Sequence, residues 1–172
     1  GYILSKAKEK IEELEGIKFD MLMFGKQAID GDTAQVGPQI AEKLHLPQVT
    51  YAADITKDGD TVTVQRMLED GYMTIKVQTP CLITCIKELN NPRYMSIGGI
   101  LSTYSKPLTT LGYEDLKDHA LIDATTIGLK GSPTNIFKSF TPPQKGAGMM
   151  LEGADKATCE KLADILAKKH II

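Results

Sequence analysis

Apolar and polar residues follow two different periods along this chain, and together they predict a mixed α/β domain. Apolar residues recur at helical spacing over residues 2–15, which predicts an amphipathic helix that ends at Gly16. Residues 18–24 include an unbroken apolar run that is typical of a buried parallel strand. A helix placed before the first strand is half of a strand–helix–strand unit, so we expect a further strand ahead of it.

Three short alternating runs come next and predict an antiparallel meander. They lie at residues 49–55, 61–67 and 72–77. Asp58-Gly59 and Asp70-Gly71 separate them, and Asp-Gly between alternating strands favours a tight hairpin turn. Residues 81–86 are again continuously apolar, so they should return the chain to the buried part of a mainly parallel sheet.

The most informative segment, residues 25–38, joins the first predicted strand to a helix and reads GKQAIDGDTAQVGP. Asp32 and Gln35 have the spacing of a capping box, which predicts a helix over residues 32–44 with a bend or a restart at Gly37-Pro38. Gly31 is the expected left-handed position. A strand, a loop and a helix N-terminus in this order suit a phosphate or pyrophosphate at the carboxyl edge of an α/β sheet. An ordinary capped turn has the same spacing, so the residue types leave both interpretations open.

The second half of the chain is less regular, because Pro, Gly, Ser and Thr become frequent after about residue 100. We expect an α/β domain over residues 1–102 and an extended arm over residues 103–172. Residues 119–124 have the composition of an edge strand. Residues 154–169 predict a helix with one apolar face, which suits packing on its own domain or on a partner equally well.

Composition and charge narrow the function classes. The chain has 42% apolar residues, 24% charged residues and a formal net charge of −2, which favours a soluble globular protein and argues against nucleic acid as a partner. No apolar run approaches the length of a membrane span and no leader peptide precedes the first helix, so we expect a cytoplasmic protein without membrane insertion. Cys81, Cys85 and Cys159 are expected to be reduced and buried.

The sequence lacks the usual catalytic and metal-binding patterns. None of the three histidines belongs to a nucleophile motif, and His45 and His170 fall at predicted helix ends. Asp30 and Asp32 have the spacing of an acid/base pair or of metal ligands, but capping and support of the loop is the favoured interpretation. We therefore expect no catalytic side chain and no metal, with any redox chemistry residing in a bound cofactor.

A second chemical feature follows the strand at residues 81–86. Residues 90–100 read NNPRYMSIGGI, in which an Arg-Tyr pair stands beside apolar Met95 and Ile97. This composition is typical of a protein docking site on a surface loop. The alternative is that Met95 and Ile97 pack into the core of their own domain, and the residue types favour neither interpretation.

The segments GKQAIDGDTAQVGP and NNPRYMSIGGI closely resemble the beta subunit of electron-transferring flavoproteins, and the resemblance runs from the first predicted helix to the last. The family is a heterodimer whose alpha subunit carries a flavin. Its beta subunit has an adenine-nucleotide alpha-hydrolase-like (Rossmann-like) fold and binds AMP or, in bifurcating members, a second FAD. Family members have a further half-domain before the point where this sequence begins, so the resemblance implies that the N-terminal part is missing.

The resemblance also implies roles for particular residues. FAD, or alternatively AMP, is expected at Gly25, Gln27, Asp30, Gly31, Asp32, Thr33, Ala34, Gln35 and Val36. An acyl-CoA dehydrogenase-type flavoenzyme is expected to dock on Asn91, Pro92, Arg93, Tyr94, Met95 and Ile97. Ile97 stands where the family has an anchoring leucine. Residues 103–172 are expected to embrace the alpha subunit.

The sequence GDTAQVGP at residues 31–38 is similar to that of the bifurcating, clostridial-type branch, whereas the AMP branch carries Asp, Cys and Asn in the corresponding loop. The resemblance therefore implies an electron-transfer component that passes electrons between NADH and an acyl-CoA dehydrogenase-type partner by flavin-based bifurcation. The alternatives are a non-bifurcating shuttle with a structural AMP and an adenine-nucleotide sensor without redox function.

Overall fold

The computed structural model describes residues 1–118 and 122–172, and it divides into two compact units, Gly1–Thr134 and Asn135–Ile172. The helices are α1 (Tyr2–Glu15), α2 (Val36–Leu44), α3 (Ile97–Thr103), α4 (Tyr113–Leu116), α5 (Gly128–Gly131) and α6 (Lys156–Lys168). The strands are β1 (Met21–Gly25), β2 (Gln48–Asp58), β3 (Thr61–Met67), β4 (Tyr72–Gln78) and β5 (Cys81–Cys85). A 3-10 turn covers Lys87–Leu89. Of the edge strand expected at residues 119–124, residues 119–121 lie outside the described residues, and residues 122–124 form no strand.

The first unit is built on a five-stranded sheet in the order β1-β5-β2-β3-β4. β5 runs parallel to both β1 and β2, whereas β2, β3 and β4 form the expected antiparallel meander. The meander and the bounds of β3 are therefore confirmed. The expectation of a mainly parallel sheet is wrong, because the two hairpins make half of the strand pairings antiparallel. The narrower assignment to a Rossmann-like type stays a prediction.

The sheet buries apolar side chains on both faces. Val49, Val62, Val64, Cys81 and Ile83 belong to one cluster, while Leu82 packs with Ile40 and Ala41 of α2 on the opposite face. This split follows from the alternation of successive side chains along β5. The apolar run at residues 81–86 is thus confirmed as a buried strand, since its first three residues are fully buried.

The first helix has the bounds that the sequence predicts, and it ends at Gly16 with a left-handed φ of 64°. A single buried carboxylate ties this helix to the chain that leads into β1. Glu12 accepts hydrogen bonds from Lys8 at 2.6 Å, Lys18 at 2.9 Å and the backbone N–H of Phe19 at 3.0 Å. These donors, Lys8 foremost, lower the pKa of Glu12 to about 2.

The second helix begins four residues later than the sequence predicts. Asp32 has a φ of 51° and so cannot start a right-handed helix, and α2 begins at Val36 without any side-chain cap. The expected capping box of Asp32 and Gln35 is therefore wrong. A bend or restart inside the helix at Gly37-Pro38 is not observed, because α2 only begins at Val36. Pro38 is its third residue, and its missing N–H lies in the first turn, where helical partners are absent anyway.

The cysteines fall into two groups. Cys81 is buried and Cys85 is partly buried on the same face of β5, and burial raises the pKa of both thiols. Cys159 is exposed on α6, so the expectation that it is buried is wrong. In the second unit, Asp155 caps α6 by accepting a hydrogen bond from the Thr158 N–H at 2.8 Å, and none of the residues of α6 is buried. No helix in the described parts of the chain is long and apolar enough to cross a membrane.

Candidate functional site

The loop between β1 and α2 surrounds a concavity at the carboxyl end of β1. Because β1 and β5 run parallel in register, Gly25 and Cys85 end at the same edge of the sheet. The concavity has a volume of about 480 Å³. All nine residues expected to bind a nucleotide line it, namely Gly25, Gln27, Asp30, Gly31, Asp32, Thr33, Ala34, Gln35 and Val36. The structure thus brings the predicted residues together around one opening.

The backbone of this loop is left-handed at two positions that are not glycine. Asp32 has a φ of 51° and Ala34 has a φ of 53°, whereas Gln35 is right-handed. The expectation of a left-handed Gly31 is wrong, since Gly31 has no positive φ. Left- and right-handed residues in succession form concave arrays of N–H groups that favour anions, and keeping non-glycine residues left-handed costs free energy.

The loop is closed by its own hydrogen bonds and leaves the end of α2 open. The Asp32 N–H donates to the Ala28 carbonyl at 3.0 Å, and Gln27 Nε2 donates to Asp32 Oδ1. Asp32 therefore supports the loop through these hydrogen bonds, whereas the capping role that was also expected of it is wrong. No side chain of the described residues caps α2 and Pro38 has no N–H, so the N–H groups of Val36 and Gly37 and the positive end of the helix have no side-chain partner.

Close packing fixes the start of α2 against the sheet. A Cβ atom added to Gly37 would lie 2.6 Å from Cγ2 of Thr84, which is 2% exposed on β5. The Thr84 hydroxyl in turn accepts a hydrogen bond from the Tyr51 N–H at 3.1 Å. Because Gly37 has no side chain, the N-terminal end of α2 can pack closely against β5.

A second groove adjoins the loop, and its residues Lys26, Tyr51 and Arg66 were not predicted from the sequence. Lys26 Nζ lies 5.4 Å from the centre of the Tyr51 ring, and the Arg66 guanidinium lies 5.8 Å from it. Lys26 lines both this groove and the loop concavity. The sequence does single out Arg66. It follows Val62 and Val64 on the inward-facing side of β3, where a charged residue is unusual.

The segment after β5 is exposed and apolar. Tyr94, Met95 and Ile97 are 102%, 82% and 79% exposed, which rules out the interpretation that Met95 and Ile97 pack into their own core. Ser96 caps α3 by accepting a hydrogen bond from the Gly99 N–H at 3.1 Å. Asn91, Pro92 and Arg93 are exposed as well. The cap therefore orders the start of α3 while the apolar side chains point to solvent.

The apolar surface continues along α3. Leu101 is 66% exposed and Tyr104, directly after the helix, is 86% exposed. Contiguous exposed apolar groups of this kind mark interaction sites, whereas single exposed apolar residues are ordinary. Over residues 1–118 and 122–172, no three His, Cys, Asp or Glu side chains form a group that could hold a metal ion.

Comparison with known proteins gives a family. The electron transfer flavoprotein domain family matches residues 2–116. The chain is 68% identical over 154 residues to "Acryloyl-CoA reductase electron transfer subunit gamma" of Anaerotignum propionicum, covering 89% of this chain and 58% of that protein. It is 49% identical over 156 residues to "Caffeyl-CoA reductase-Etf complex subunit CarD" of Acetobacterium woodii, covering 90% of this chain and 58% of the relative.

A further relative carries the subunit name. The chain is 44% identical over 178 aligned residues to "Electron transfer flavoprotein subunit beta" of Megasphaera elsdenii, covering 100% of this chain and 64% of that protein. The chain thus spans about three fifths of the length of these relatives.

Proposed function

The chain belongs to the electron transfer flavoprotein family, with similarity to its beta subunits, and on that premise we propose that its residue 25–37 loop binds the ADP moiety of an FAD. One observation carries the proposal. The nine residues line a single concavity whose wall is left-handed backbone and the uncapped end of α2. Such an arrangement favours a phosphate or pyrophosphate without requiring a cationic side chain.

The residues present fit a dinucleotide in three respects. Gly31 has open space where a Cβ would project, so the backbone is accessible there. Thr33 and Ala34 are small, which leaves room beside the left-handed backbone. The Asp32 carboxylate is engaged by Gln27, so it supports the loop. When bound, the flavin would supply hydride and electron chemistry, while this chain would hold and orient it.

The proposal includes a protein partner at the segment around α3. The exposed side chains of Tyr94, Met95 and Ile97 favour docking, because an aromatic and two apolar groups together can fill a pocket on another protein. Two relatives are named as subunits that serve acryloyl-CoA and caffeyl-CoA reductases. We therefore propose an acyl-CoA dehydrogenase-type flavoenzyme as the partner of this segment.

The remaining parts of the proposal concern the heterodimer and the electron donor. Residues 103–172 are proposed to embrace an alpha subunit, which agrees with the exposure of Phe137 and Met150 at 101% and 86% and with the lack of buried residues in α6. NADH is proposed as the donor, with bifurcation as the mode of electron transfer. A cytoplasmic location belongs to the same proposal.

The loop assignment is tested by adding a negative charge inside the concavity. Ala34→Glu should abolish retention of the adenine nucleotide, because a carboxylate would lie where the backbone is proposed to meet a phosphate. Ala154→Glu is the matched control, since it adds the same charge at an exposed position in the second unit. Nucleotide is extracted from both purified variants and quantified by chromatography.

The outcome separates two interpretations of the loop. Loss of nucleotide in Ala34→Glu but not in Ala154→Glu, with unchanged melting temperatures, supports binding at the loop. Wild-type nucleotide content in both variants would overturn the assignment and leave the segment as an ordinary turn.

A further inference from the structure

One cationic side chain beside the loop has an unsatisfied hydrogen-bond donor. Arg66 Nε is buried and has no hydrogen-bond partner, and Arg66 forms no ion pair with any described residue. The Arg66 guanidinium lies 5.8 Å from the centre of the Tyr51 ring, a cation–π contact. An unpaired donor of this kind is costly, and because Arg66 is only partly buried and lines an open groove, its guanidinium can meet a ligand there.

The backbone beside Arg66 is strained in a way that supports the same interpretation. Tyr51 has a φ of 59°, which is uncommon for a residue with a large side chain. The pairing of β2 with β5 shifts register between Val49 and Ala52, around this residue. In this conformation the centre of the Tyr51 ring lies within 6 Å of two cationic side chains, Lys26 and Arg66. Strain of this kind is concentrated at ligand-binding sites.

The charges around the groove favour an anion in a defined place. Lys26 and Arg66 each lie within 6 Å of the centre of the Tyr51 ring and line the same groove, and Lys87 lines its adjoining part. Glu69 and Glu88 also line it, but neither forms an ion pair with these cations. An arginine that is not neutralised by its neighbours retains its fork of donors for a phosphate or carboxylate.

We propose that Lys26, Tyr51 and Arg66 form a second oxyanion-binding subsite beside the residue 25–37 loop. It takes the phosphate-type oxyanion of a small ligand, with Arg66 donating hydrogen bonds and Lys26 contributing charge. The oxyanion has two possible sources, a free anion or a further phosphate of the nucleotide proposed for the loop. The subsite itself does not depend on the loop assignment; only the second source rests on the proposed function.

The experiment measures binding of inorganic pyrophosphate by calorimetry to the purified protein. Arg66→Gln should lower the affinity by about tenfold or more, since it removes charge-assisted hydrogen bonds. Arg66→Lys should lower it less, because it keeps the charge without the fork. Lys76→Gln is the matched control for loss of one positive charge, at an exposed position on β4 that does not line the groove.

A stability measurement distinguishes a ligand-binding role from a structural one. Without pyrophosphate, Arg66→Gln should melt at the same temperature as the wild type or higher, because it removes a side chain whose buried Nε donor is unpaired. With pyrophosphate, the wild type should gain more melting temperature than Arg66→Gln, in which only the residue 25–37 loop can still bind the anion. A lower melting temperature of Arg66→Gln, with pyrophosphate affinity unchanged, would make Arg66 a structural residue and overturn the proposal.

Two further arms identify the source of the oxyanion. If it is free, Ala34→Glu should keep pyrophosphate binding at the subsite even when nucleotide is lost from the loop. If it belongs to the nucleotide, ADP should bind more tightly than AMP, and that difference should disappear in Arg66→Gln and in Ala34→Glu. Two results would overturn the proposal. One is an equal pyrophosphate affinity of wild type and Arg66→Gln. The other is a defect of Arg66→Gln that is confined to assembly with the alpha subunit, which would assign Arg66 to a partner's carboxylate.

Discussion

The loop at residues 25–37 and the segment at residues 90–104 are both exposed, yet their surfaces differ in chemistry. Each follows a strand of the parallel part of the sheet, β1 or β5, and these strands end at the same edge. The loop is concave and closed by its own hydrogen bonds. The segment presents Tyr94, Met95 and Ile97 outward, with no core contact to bury them.

This difference shows why exposure alone does not identify a function. Left-handed backbone around a small concavity suits a small anion, since the N–H groups converge. Outward aromatic and branched side chains suit a protein surface, because their burial on association is favourable. One edge of the sheet therefore carries two surfaces, and we expect a mutation in one to impair its binding without affecting binding at the other.

The largest expected effect is on the protein-binding surface. Ile97→Ala should weaken docking of the proposed acyl-CoA dehydrogenase-type partner by about 2–4 kcal/mol, which is roughly 30-fold or more in affinity. The flavin spectrum and the heterodimer should be unchanged. Steady-state kinetics against dehydrogenase concentration would show the loss as a raised apparent Michaelis constant.

Ile29→Ala is the matched control, because Ile29 is 99% exposed in the other region but does not line the concavity. It should leave the apparent Michaelis constant for the dehydrogenase at the wild-type value. Equal effects of the two substitutions, or no effect of either, would remove the proposed distinction between the two surfaces.

A smaller effect is expected where the loop meets the sheet. Gly37→Ala should destabilise the protein by about 1–3 kcal/mol, because its Cβ would lie 2.6 Å from the buried Thr84 methyl group. Gly98→Ala makes the same change at the second residue of α3, where no atom lies within 4 Å. It should be neutral or stabilising by up to about 1 kcal/mol. Denaturant unfolding compares the two, and equal costs would contradict the close packing of α2.

The smallest effect concerns the scaffold that leads into β1, and it depends on pH. The pKa of Glu12 is lowered from an ordinary value of 4.5 to about 2, so its charged form stabilises the folded state at pH values above about 4.5. That stabilisation is lost as the pH falls towards 2. Glu12→Gln should therefore lower the melting temperature at pH 7, and the difference from wild type should shrink steadily below pH 4.5.

A difference in melting temperature that stays constant from pH 7 to pH 2 would contradict the role of the Glu12 carboxylate. Ile97→Ala serves as the control, because Ile97 is exposed and its effect on stability should not vary with pH.

Much of the fold follows from local sequence patterns. The alternation over residues 61–67 fixes β3 to the residue, and Asp58-Gly59 turns the chain there with a φ of 54° at Gly59. The end of α1 at Gly16 follows equally from a glycine in the left-handed region. In these cases a local preference and the tertiary structure agree.

The errors arise where tertiary contacts decide the backbone. Asp32 has good capping chemistry, yet its left-handed φ moves the start of α2 to Val36. The positive φ of Tyr51 has no local signal, because it accompanies a register shift against a strand more than thirty residues away. The nine loop residues were predicted through resemblance, whereas Arg66 was detectable only as a charged residue at an inward-facing position of its strand.

The central claim is that the loop holds the ADP moiety of a second FAD, and the most direct test is the nucleotide content of the heterodimer. The protein is reconstituted with its alpha subunit in excess FAD, freed of unbound nucleotide, and extracted. We expect two FAD and no AMP per heterodimer, together with direct oxidation of NADH. One FAD and one AMP per heterodimer, without NADH oxidation, would contradict the claim.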